Sequence, residues 1–299
     1  MPRGRREVLK TLCAAGAAVA LRPPRARASA APVSDEGVGL LYDATRCVGC
    51  KACVAACKRA NDMPAERAAF DEAGLWDAPS DLSGSTRTVI QLYEGPEGRS
   101  FVKRQCMHCE KPACASACPV SAMERAASGA VVHDPGRCIG CRYCMVACPF
   151  NVPRFQWGSA APRIVKCDLC FGTALERDGR PACASACPAG AVSFGTRPGL
   201  LAEARRRLAA EPGRYQPRIY GETEVGGTRA LVLSAVPFER LGLPTLPDRS
   251  YAALSETIQH GIYRGFAAPV ALYAGLFWLA RRNRRRSERK GGDHGDGPR

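Results

Sequence analysis

The sequence predicts an α+β fold, in which a duplicated core of small helices and strands surrounds groups of cysteines, with one transmembrane helix near the C terminus. Three observations predict it. Sixteen of the 17 cysteines fall into four groups that share one spacing rule. Cysteine-bearing segments recur along the chain, and a stretch without charged residues lies near its end. At 299 residues the chain is long enough for one or two compact domains with additional segments.

Residues 1–30 are predicted to be a twin-arginine signal peptide. Arg5 and Arg6 precede a weakly apolar, alanine-rich stretch, and Ala28, Ser29 and Ala30 offer small residues for cleavage. The alternatives are an ordinary secretory signal or a basic amphipathic helix. The seventeenth cysteine, Cys13, lies in this segment and is expected to be removed with it.

Residues 31–200 are predicted to form the core that holds the four cysteine groups. Every group opens with Cys-x-x-Cys and ends with Cys-x-x-x-Cys, and Pro149 directly follows the third. This spacing matches the bacterial ferredoxin pattern, in which three cysteines bind one iron–sulfur cluster and the fourth reaches a neighbouring cluster. The groups are Cys47, Cys50, Cys53 and Cys57; Cys106, Cys109, Cys114 and Cys118; Cys138, Cys141, Cys144 and Cys148; Cys167, Cys170, Cys183 and Cys187.

The core contains an internal repeat. PACASACP occurs at residues 112–119 and again at 181–188, and RCVGCKACVAAC from Arg46 resembles RCIGCRYCMVAC from Arg137. The copies are 69 residues apart in the first pair and 91 in the second, so 22 extra residues must lie between the first two groups. We therefore place an insertion within residues 58–103, either a loop that faces a partner or a passive spacer.

Short local elements are expected around each group. The apolar segments 130–132 and 191–194 are typical of strands, and the CMVAC segment at residues 144–148 is typical of a helical turn. The proline after a group lacks a backbone N–H and helps to end that turn. Small alternating helices and strands around clusters make a ferredoxin-like α+β fold.

The C-terminal third is predicted to contain an extension, residues 201–257, a transmembrane helix, residues 258–280, and a basic tail, residues 281–299. Gly265 to Ala280 are uncharged and span about 24 Å at about 1.5 Å per residue, and the preceding residues extend this toward the roughly 30 Å of a bilayer core. The positive-inside rule keeps the tail cytoplasmic and the bulk of the protein periplasmic. The alternative is a buried or interfacial helix.

The cysteines predict four [4Fe-4S] clusters, because iron in such clusters prefers thiolates and four ligands complete each one. Zinc ribbons also use Cys-x-x-Cys pairs, but they need neither the closing Cys-x-x-x-Cys nor the proline. By analogy with ferredoxins the groups exchange fourth ligands, although spacing alone leaves this cross-pairing open. The predicted sets are Cys47, Cys50, Cys53 and Cys187 for cluster 1; Cys106, Cys109, Cys114 and Cys148 for cluster 2; Cys118, Cys138, Cys141 and Cys144 for cluster 3; and Cys57, Cys167, Cys170 and Cys183 for cluster 4.

Residues beside the clusters are candidates for tuning them. Arg46, Arg104, Arg137 and Lys166 precede the four groups, and a positive charge there raises a cluster's reduction potential; surface solubility is the alternative role. His108 either bonds a cluster sulfur, faces a partner or packs within its loop. The sequence contains no nucleophile–base pair or phosphate loop, which favours an electron conductor rather than a catalyst.

The net charge of +15 does not indicate nucleic-acid binding. Residues 1–30 carry +6 and residues 281–299 carry +5, which leaves only +4 for the long middle. Four clusters with their thiolates would add about −8 to that middle.

Taken together, these segments resemble the ferredoxin-like electron-transfer subunit of membrane-bound nickel–iron hydrogenases of the hydrogenase-2 type. The resemblance covers LLYDATRCVGCKACVAAC, KRQCMHC, GCRYCMVACPFNVPRF, CPAGAVSFGTR and ETIQHGIYRG. It implies a non-catalytic relay, periplasmic and anchored in the lipid bilayer, between the hydrogenase small and large subunits and a quinone-reactive membrane subunit. Export of folded proteins by the twin-arginine route suits clusters that are inserted in the cytoplasm.

Two other functions remain open on the sequence. The chain has the same chemistry as the relay subunits of molybdenum oxidoreductases and formate dehydrogenases, which differ in their partners. A protein of another class, a structural metal-binding or disulfide scaffold, would be colourless and would lack iron and acid-labile sulfide.

Overall fold

The structure is a computed structural model that describes residues 37–65 and 79–291. The predicted signal peptide, part of the predicted insertion and the end of the basic tail lie outside these residues. The described chain divides into two compact units, one ending at Ser250 and the other beginning at Tyr251.

A three-stranded sheet organises the first unit. Its order is β8 (Val192–Thr196), β1 (Val38–Asp43) and β9 (Ala230–Leu233). β1 pairs antiparallel with β8, Leu40 opposite Phe194, and parallel with β9, Leu40 opposite Ala230. β1 is buried on both faces over most of its length, as expected of a central strand with an almost continuous apolar run.

One face of this sheet is covered by helix α6 (Arg197–Ala210). The Thr196 hydroxyl caps the helix by accepting from the Gly199 N–H at 3.4 Å, and a proline in the first turn is compatible with the free N–H groups there. Leu200, Leu201 and Ala204 lie on one helical face and pack against Leu41, Leu231 and Leu233 of the sheet.

Short elements carry the cysteine groups, in agreement with the predicted mixture of small helices and strands. Four helices of nine residues or fewer bear cysteines: α1 (Ala52–Ala60), α2 (Ala113–Ser116), α3 (Tyr143–Ala147) and α5 (Ala182–Ser185). They alternate with β4 (Met123–Arg125), β5 (Val131–His133), β6 (Arg154–Phe155), β7 (Ile164–Val165) and α4 (Ala174–Asp178).

The repeated sequences have repeated backbone geometry. Lys51 before α1 and Arg142 before α3 are both left-handed, with φ of 56° and 63°. Pro112 and Pro181 occupy the same position before the identical ACAS helices. Equivalent residues therefore serve equivalent turns in the two halves.

The described part of the predicted insertion is a hairpin, β2 (Val89–Gly95) paired antiparallel with β3 (Gly98–Arg104). Val89, Ile90 and Val102 are buried, and the Tyr42 hydroxyl of the central strand donates to the Phe101 carbonyl at 2.7 Å. The hairpin is thus packed into the core rather than projecting from it.

The second unit is helix α7 (Ala252–Gly291), which contains the predicted segment 258–280 and has Pro269 in its interior. Its described side chains include exposed large apolar groups, among them Phe266, Leu276 and Phe277. Within residues 37–65 and 79–291, no helix is both long enough and apolar enough to cross a membrane.

Candidate iron–sulfur sites

We call the four predicted ligand sets sites 1 to 4, numbered as clusters 1 to 4 above. Site 1 surrounds a small pocket beside the central strand. All four of its cysteines line the cavity, together with apolar groups from Tyr42, Ile90 and Val192. The structure thus brings Cys187 from the last group to the three cysteines of the first group.

Site 4 surrounds a second small pocket, which Cys57 of helix α1 reaches one turn after Cys53. Its lining contains all four predicted cysteines, Cys57, Cys167, Cys170 and Cys183, along with Leu40 and Leu169. All four are buried. Helix α1 therefore contributes Cys53 to site 1 and Cys57 to site 4.

Sites 2 and 3 are related in the same way. Cys109 interacts electrostatically with Cys106, Cys114 and Cys148, which completes the set predicted for site 2. Cys144 interacts with Cys118, Cys138 and Cys141, the set predicted for site 3. Helices α2 and α3, which carry Cys114 and Cys144, pack together in one small apolar cluster.

Electrostatic interactions between cysteines of different sites place the four sites in a row. Cys53 of site 1 interacts with Cys183 of site 4. Cys167 of site 4 interacts with Cys106 of site 2. Cys114 of site 2 interacts with Cys144 of site 3. The spatial order is therefore site 1, site 4, site 2, site 3.

Backbone N–H groups point at sulfur atoms in two Cys-x-x-Cys loops and in the turn that follows Cys118. Gly140 donates to Cys138 Sγ at 3.4 Å, Leu169 to Cys167 Sγ at 3.5 Å, and Ala122 to Cys118 Sγ at 3.2 Å. The first two donors have positive φ, 71° and 58°, which turns the loop around the sulfur. Hydrogen bonds to ligand sulfurs stabilise negative charge there and help to set a cluster's potential.

Burial raises the pKa values of some of the thiols, Cys57 and Cys144 among them. Burial, reinforced by Cys183, raises the pKa of Cys57 to about 12. Burial, reinforced by Cys118 and Cys138, raises the pKa of Cys144 to about 11. Metal binding must therefore displace protons from these sulfurs, as it does wherever thiolates are ligands.

The predicted tuning residues have different surroundings. Arg46 and Arg137 are partly exposed and pair with carboxylates, Arg46 with Asp43 at 3.5 Å and Arg137 with Asp134 at 2.6 Å. Lys166, in contrast, is buried and donates to the carbonyls of Val131 and Cys167. Arg104, the fourth, is half-buried.

His108 packs within its loop, one of the alternatives that the sequence left open. It is fully buried, and its Nδ1 accepts from the Val131 N–H at 3.0 Å. Burial lowers the pKa of His108 well below its usual value, and Lys166 and Arg229 lower it further, so the ring is neutral.

Sequence analysis missed Lys103, which is buried near the end of β3 and interacts electrostatically with cysteines of sites 1 and 4. The only signal was its position in an alternating strand pattern, RSFVKR, which places Lys103 and Phe101 on the same side.

The residues present fit iron–sulfur clusters. Sites 1 and 4 are cavities with four thiols each, apolar walls and backbone donors near sulfur, and thiolates are the ligands such clusters take. Among the described residues, no three His, Cys, Asp or Glu side chains converge on one position for a single metal ion. A cubane instead takes each thiolate on a different iron atom.

Comparison with known proteins identifies a domain family that matches part of the chain. Residues 99–197 match the model of the 4Fe-4S dicluster domain, so the [4Fe-4S] type of cofactor follows from sequence similarity as well as from the cysteines.

Sequence similarity to known proteins extends over most of the chain. It is 42% identical over 290 residues to the hydrogenase-2 operon protein HybA of Escherichia coli O157:H7 and of Shigella flexneri, covering 86% of this chain and 88% of each relative. It is 36% identical over 253 residues to the iron-sulfur subunit of the nitrate-inducible formate dehydrogenase of Escherichia coli K12, covering 81% and 83%. The chain belongs to the family of ferredoxin-like, non-catalytic electron-transfer subunits that includes the hydrogenase-2 protein HybA.

Proposed function

We propose that the chain conducts electrons through four [4Fe-4S] clusters between the small subunit of a nickel–iron hydrogenase and a quinone-reactive membrane subunit. One observation carries the proposal. Four sets of four cysteines lie in a row, and cysteines of neighbouring sites are close enough to interact electrostatically.

The exposure of the row supports conduction from end to end. Cys50 of site 1 is exposed, and three cysteines of site 3 are partly exposed, whereas all four of site 4 are buried. Electrons enter and leave at accessible ends and are insulated from water in the interior. Each hop oxidises one cluster by one electron and reduces its neighbour by one, while the hydrogenase and the quinone carry out the two-electron chemistry.

Exposed apolar residues at both ends fit protein partners. Val48 at site 1 is 59% exposed, and Ile139 and Val146 at site 3 are 66% and 88% exposed. Val48 and Ile139 occupy the same position in the repeated Cys-x-Gly-Cys loops. Exposed apolar groups around a redox site are typical of a docking surface.

Membrane attachment and periplasmic location are part of the proposal. Their support is the twin-arginine pattern at Arg5 and Arg6, the uncharged residues 265–280 with exposed aromatic and aliphatic side chains, and the arginines that follow them. A chain ending at Ser250 should leave the membrane fraction on carbonate extraction, whereas the full chain should remain. Retention of the shortened chain would show that a partner subunit holds the protein there.

The cluster count is tested on the oxygen-protected complex. About 16 iron atoms and as much acid-labile sulfide are expected from this chain beyond the iron of its partners. Cys138→Ser should alter the signal of one cluster and slow hydrogen-dependent quinone reduction. Unaltered spectra with full activity would contradict the site assignment, and zinc or cystine in place of iron would favour the scaffold.

The identity of the partner is tested separately. The lower but extensive similarity to a formate dehydrogenase iron-sulfur subunit supports a second candidate, a relay in a formate dehydrogenase or another molybdenum enzyme. Purification from native membranes with mass spectrometry of the accompanying subunits decides between them, and hydrogenase subunits are the expected result.

A further inference from the structure

Three described lysines lie buried near the sites, although lysine is almost never fully buried unless it is paired. Lys58 and Lys103 are each 5% exposed, and Lys166 is 4% exposed. Lys58 and Lys166 each donate to two backbone carbonyls, which satisfy much of their hydrogen-bonding capacity. Lys103 has different partners.

Lys103 projects from β3 of the hairpin, and its Nζ donates to the Thr88 hydroxyl at the other strand's entrance. Among the described residues, no carboxylate forms an ion pair with it. Thr88 in turn lines the pocket of site 4, so the ammonium group lies beside that pocket. Its electrostatic partners are sulfurs: Cys53 of site 1, and Cys183, Cys57 and Cys167 of site 4.

The buried position keeps water away from this charge, since Lys103 is almost fully enclosed and its hydrogen-bond partner Thr88 lines the site 4 pocket. Burial by itself lowers the pKa of Lys103, but the thiols of sites 1 and 4 raise it by more, so the ammonium keeps its charge. A positive charge held there stabilises negative charge on the ligands of site 4.

Reduction of a cluster adds one negative charge to a site of low polarity, where Coulomb interactions are strong. A fixed cation beside the ligands stabilises the reduced state more than the oxidised state, and this raises the reduction potential. Site 4 has no exposed ligand, so water screens this effect least there.

We propose that Lys103 sets the reduction potential of site 4, where its buried positive charge favours the reduced state. Its positive charge also acts on site 1, through Cys53. The inference rests on the proposed clusters and adds a specific role for the hairpin inserted between the first two cysteine groups. The hairpin carries the positive charge that makes site 4 an acceptor of electrons from site 1, the exposed end of the row.

The test is a redox titration of the purified full complex, followed by electron paramagnetic resonance under anaerobic conditions. Five forms are compared: wild type, Lys103→Met, Lys103→Gln, Lys103→Arg and Lys111→Met. Lys111 is the matched control, because it is an exposed lysine two residues from Cys109 of site 2. A Cys170→Ala complex identifies the signal of site 4 by its loss.

Lys103→Met should lower the midpoint potential of the site 4 signal by at least about 59 mV. For a one-electron couple this shift corresponds to a tenfold change in the equilibrium constant for reduction. The potential of site 1 should shift in the same direction, and sites 2 and 3 should remain unchanged. Lys103→Arg, which keeps the charge, and Lys111→Met should titrate like the wild type.

Two results would overturn the inference. One is a site 4 potential in Lys103→Met equal to that of wild type, with iron content and all four signals intact. The other is loss of the site 4 cluster in both Lys103→Met and Lys103→Gln, which would make the lysine an assembly residue. Neither affects the proposed function, whereas fewer than four signals in the wild-type complex would contradict that function directly.

Discussion

Asp43 shows how one buried residue ties the central strand to the helix that covers it. The carboxylate is fully buried at the end of β1 and pairs with Arg207 Nη1 of α6 at 3.0 Å. The Tyr215 hydroxyl donates to it at 3.1 Å, and the Thr45 hydroxyl at 2.7 Å. A buried ion pair with satisfied hydrogen bonds is costly to break from one side only, because the remaining charge stays buried.

Arg207→Met should therefore lower the free energy of unfolding by about 3 kcal/mol. The measurement is the temperature or urea concentration at which cluster absorbance is lost under anaerobic conditions. Arg205→Met is the control on the same helix, since Arg205 is exposed and its pair with Glu222 is worth less than about 1 kcal/mol. Equal effects of the two changes would contradict the importance of the buried pair.

His133 predicts a pH dependence of stability. Burial lowers the pKa of this half-buried ring, and Lys166 lowers it further, while Asp134 opposes the shift. The unfolded chain takes up the proton near its usual pKa of about 6.5 and the folded chain only at lower pH, so stability falls as pH drops below about 6.5. His133→Gln should flatten this part of the stability profile. An unchanged slope would assign the dependence to other groups.

Residue-scale prediction from sequence succeeded where chemistry is local. The spacing of cysteines within a loop is visible in the sequence, since three ligands of one cluster lie within a few residues. The burial of Lys103 was not visible, because it arises when the hairpin packs beside α1. A lysine that precedes an arginine in a charged stretch is indistinguishable from a surface residue until that packing is known.

At the scale of elements, the repeated loops Cys-Val-Gly-Cys and Cys-Ile-Gly-Cys offer an internal control. Gly49 and Gly140 are equivalent, and both have φ of 71°. A Cβ at Gly49 would lie 2.3 Å from the Phe101 ring, whereas a Cβ at Gly140 would meet nothing nearer than 3.8 Å, at the Phe155 ring. An alanine at either position would therefore have the same unfavourable backbone conformation, but only an alanine at position 49 would also clash with a neighbouring side chain.

Gly140→Ala should cost about 1 kcal/mol, the penalty of a left-handed non-glycine residue, and should keep site 3 loaded. Gly49→Ala should cost more, because the Phe101 ring and with it β3 must move, and should lower the occupancy of site 1. Iron content and the intensities of the cluster signals measure the difference. Equal loss of clusters in the two variants would contradict the importance of the clash with Phe101.

Elements whose partners are distant in sequence were the hardest to predict. The helical turn at CMVAC and the strands near 130–132 and 191–194 were expected from local pattern, whereas the ACAS helices were recognised only as a repeated sequence. The hairpin β2–β3 alternates apolar and polar residues around an EGPEG turn, a pattern that sequence analysis left as a featureless insertion. β9 lay within an extension without assigned structure, because only pairing with β1 makes it a strand of the sheet.

At the scale of the whole molecule, the row of sites predicts an order of chemical damage. Site 1 has an exposed cysteine and site 3 has partly exposed ones, whereas site 4 is enclosed. Brief treatment of the reduced complex with ferricyanide should therefore destroy the signals of sites 1 and 3 before that of site 4. The signals are followed over time by electron paramagnetic resonance, with single-cysteine variants to assign them. Earlier loss of site 4 would contradict the spatial order.

The central strand has a consequence for how the protein is made. β1 emerges early from the ribosome, but its sheet partners β8 and β9 and the fourth cysteine of site 1, Cys187, come near the end of the folded core. At about 5–20 residues per second, Cys187 follows Cys47 by on the order of ten seconds. The outermost site therefore cannot close during early synthesis, and the nascent chain must keep its first three thiols reduced and free of stray metal until the sheet is complete.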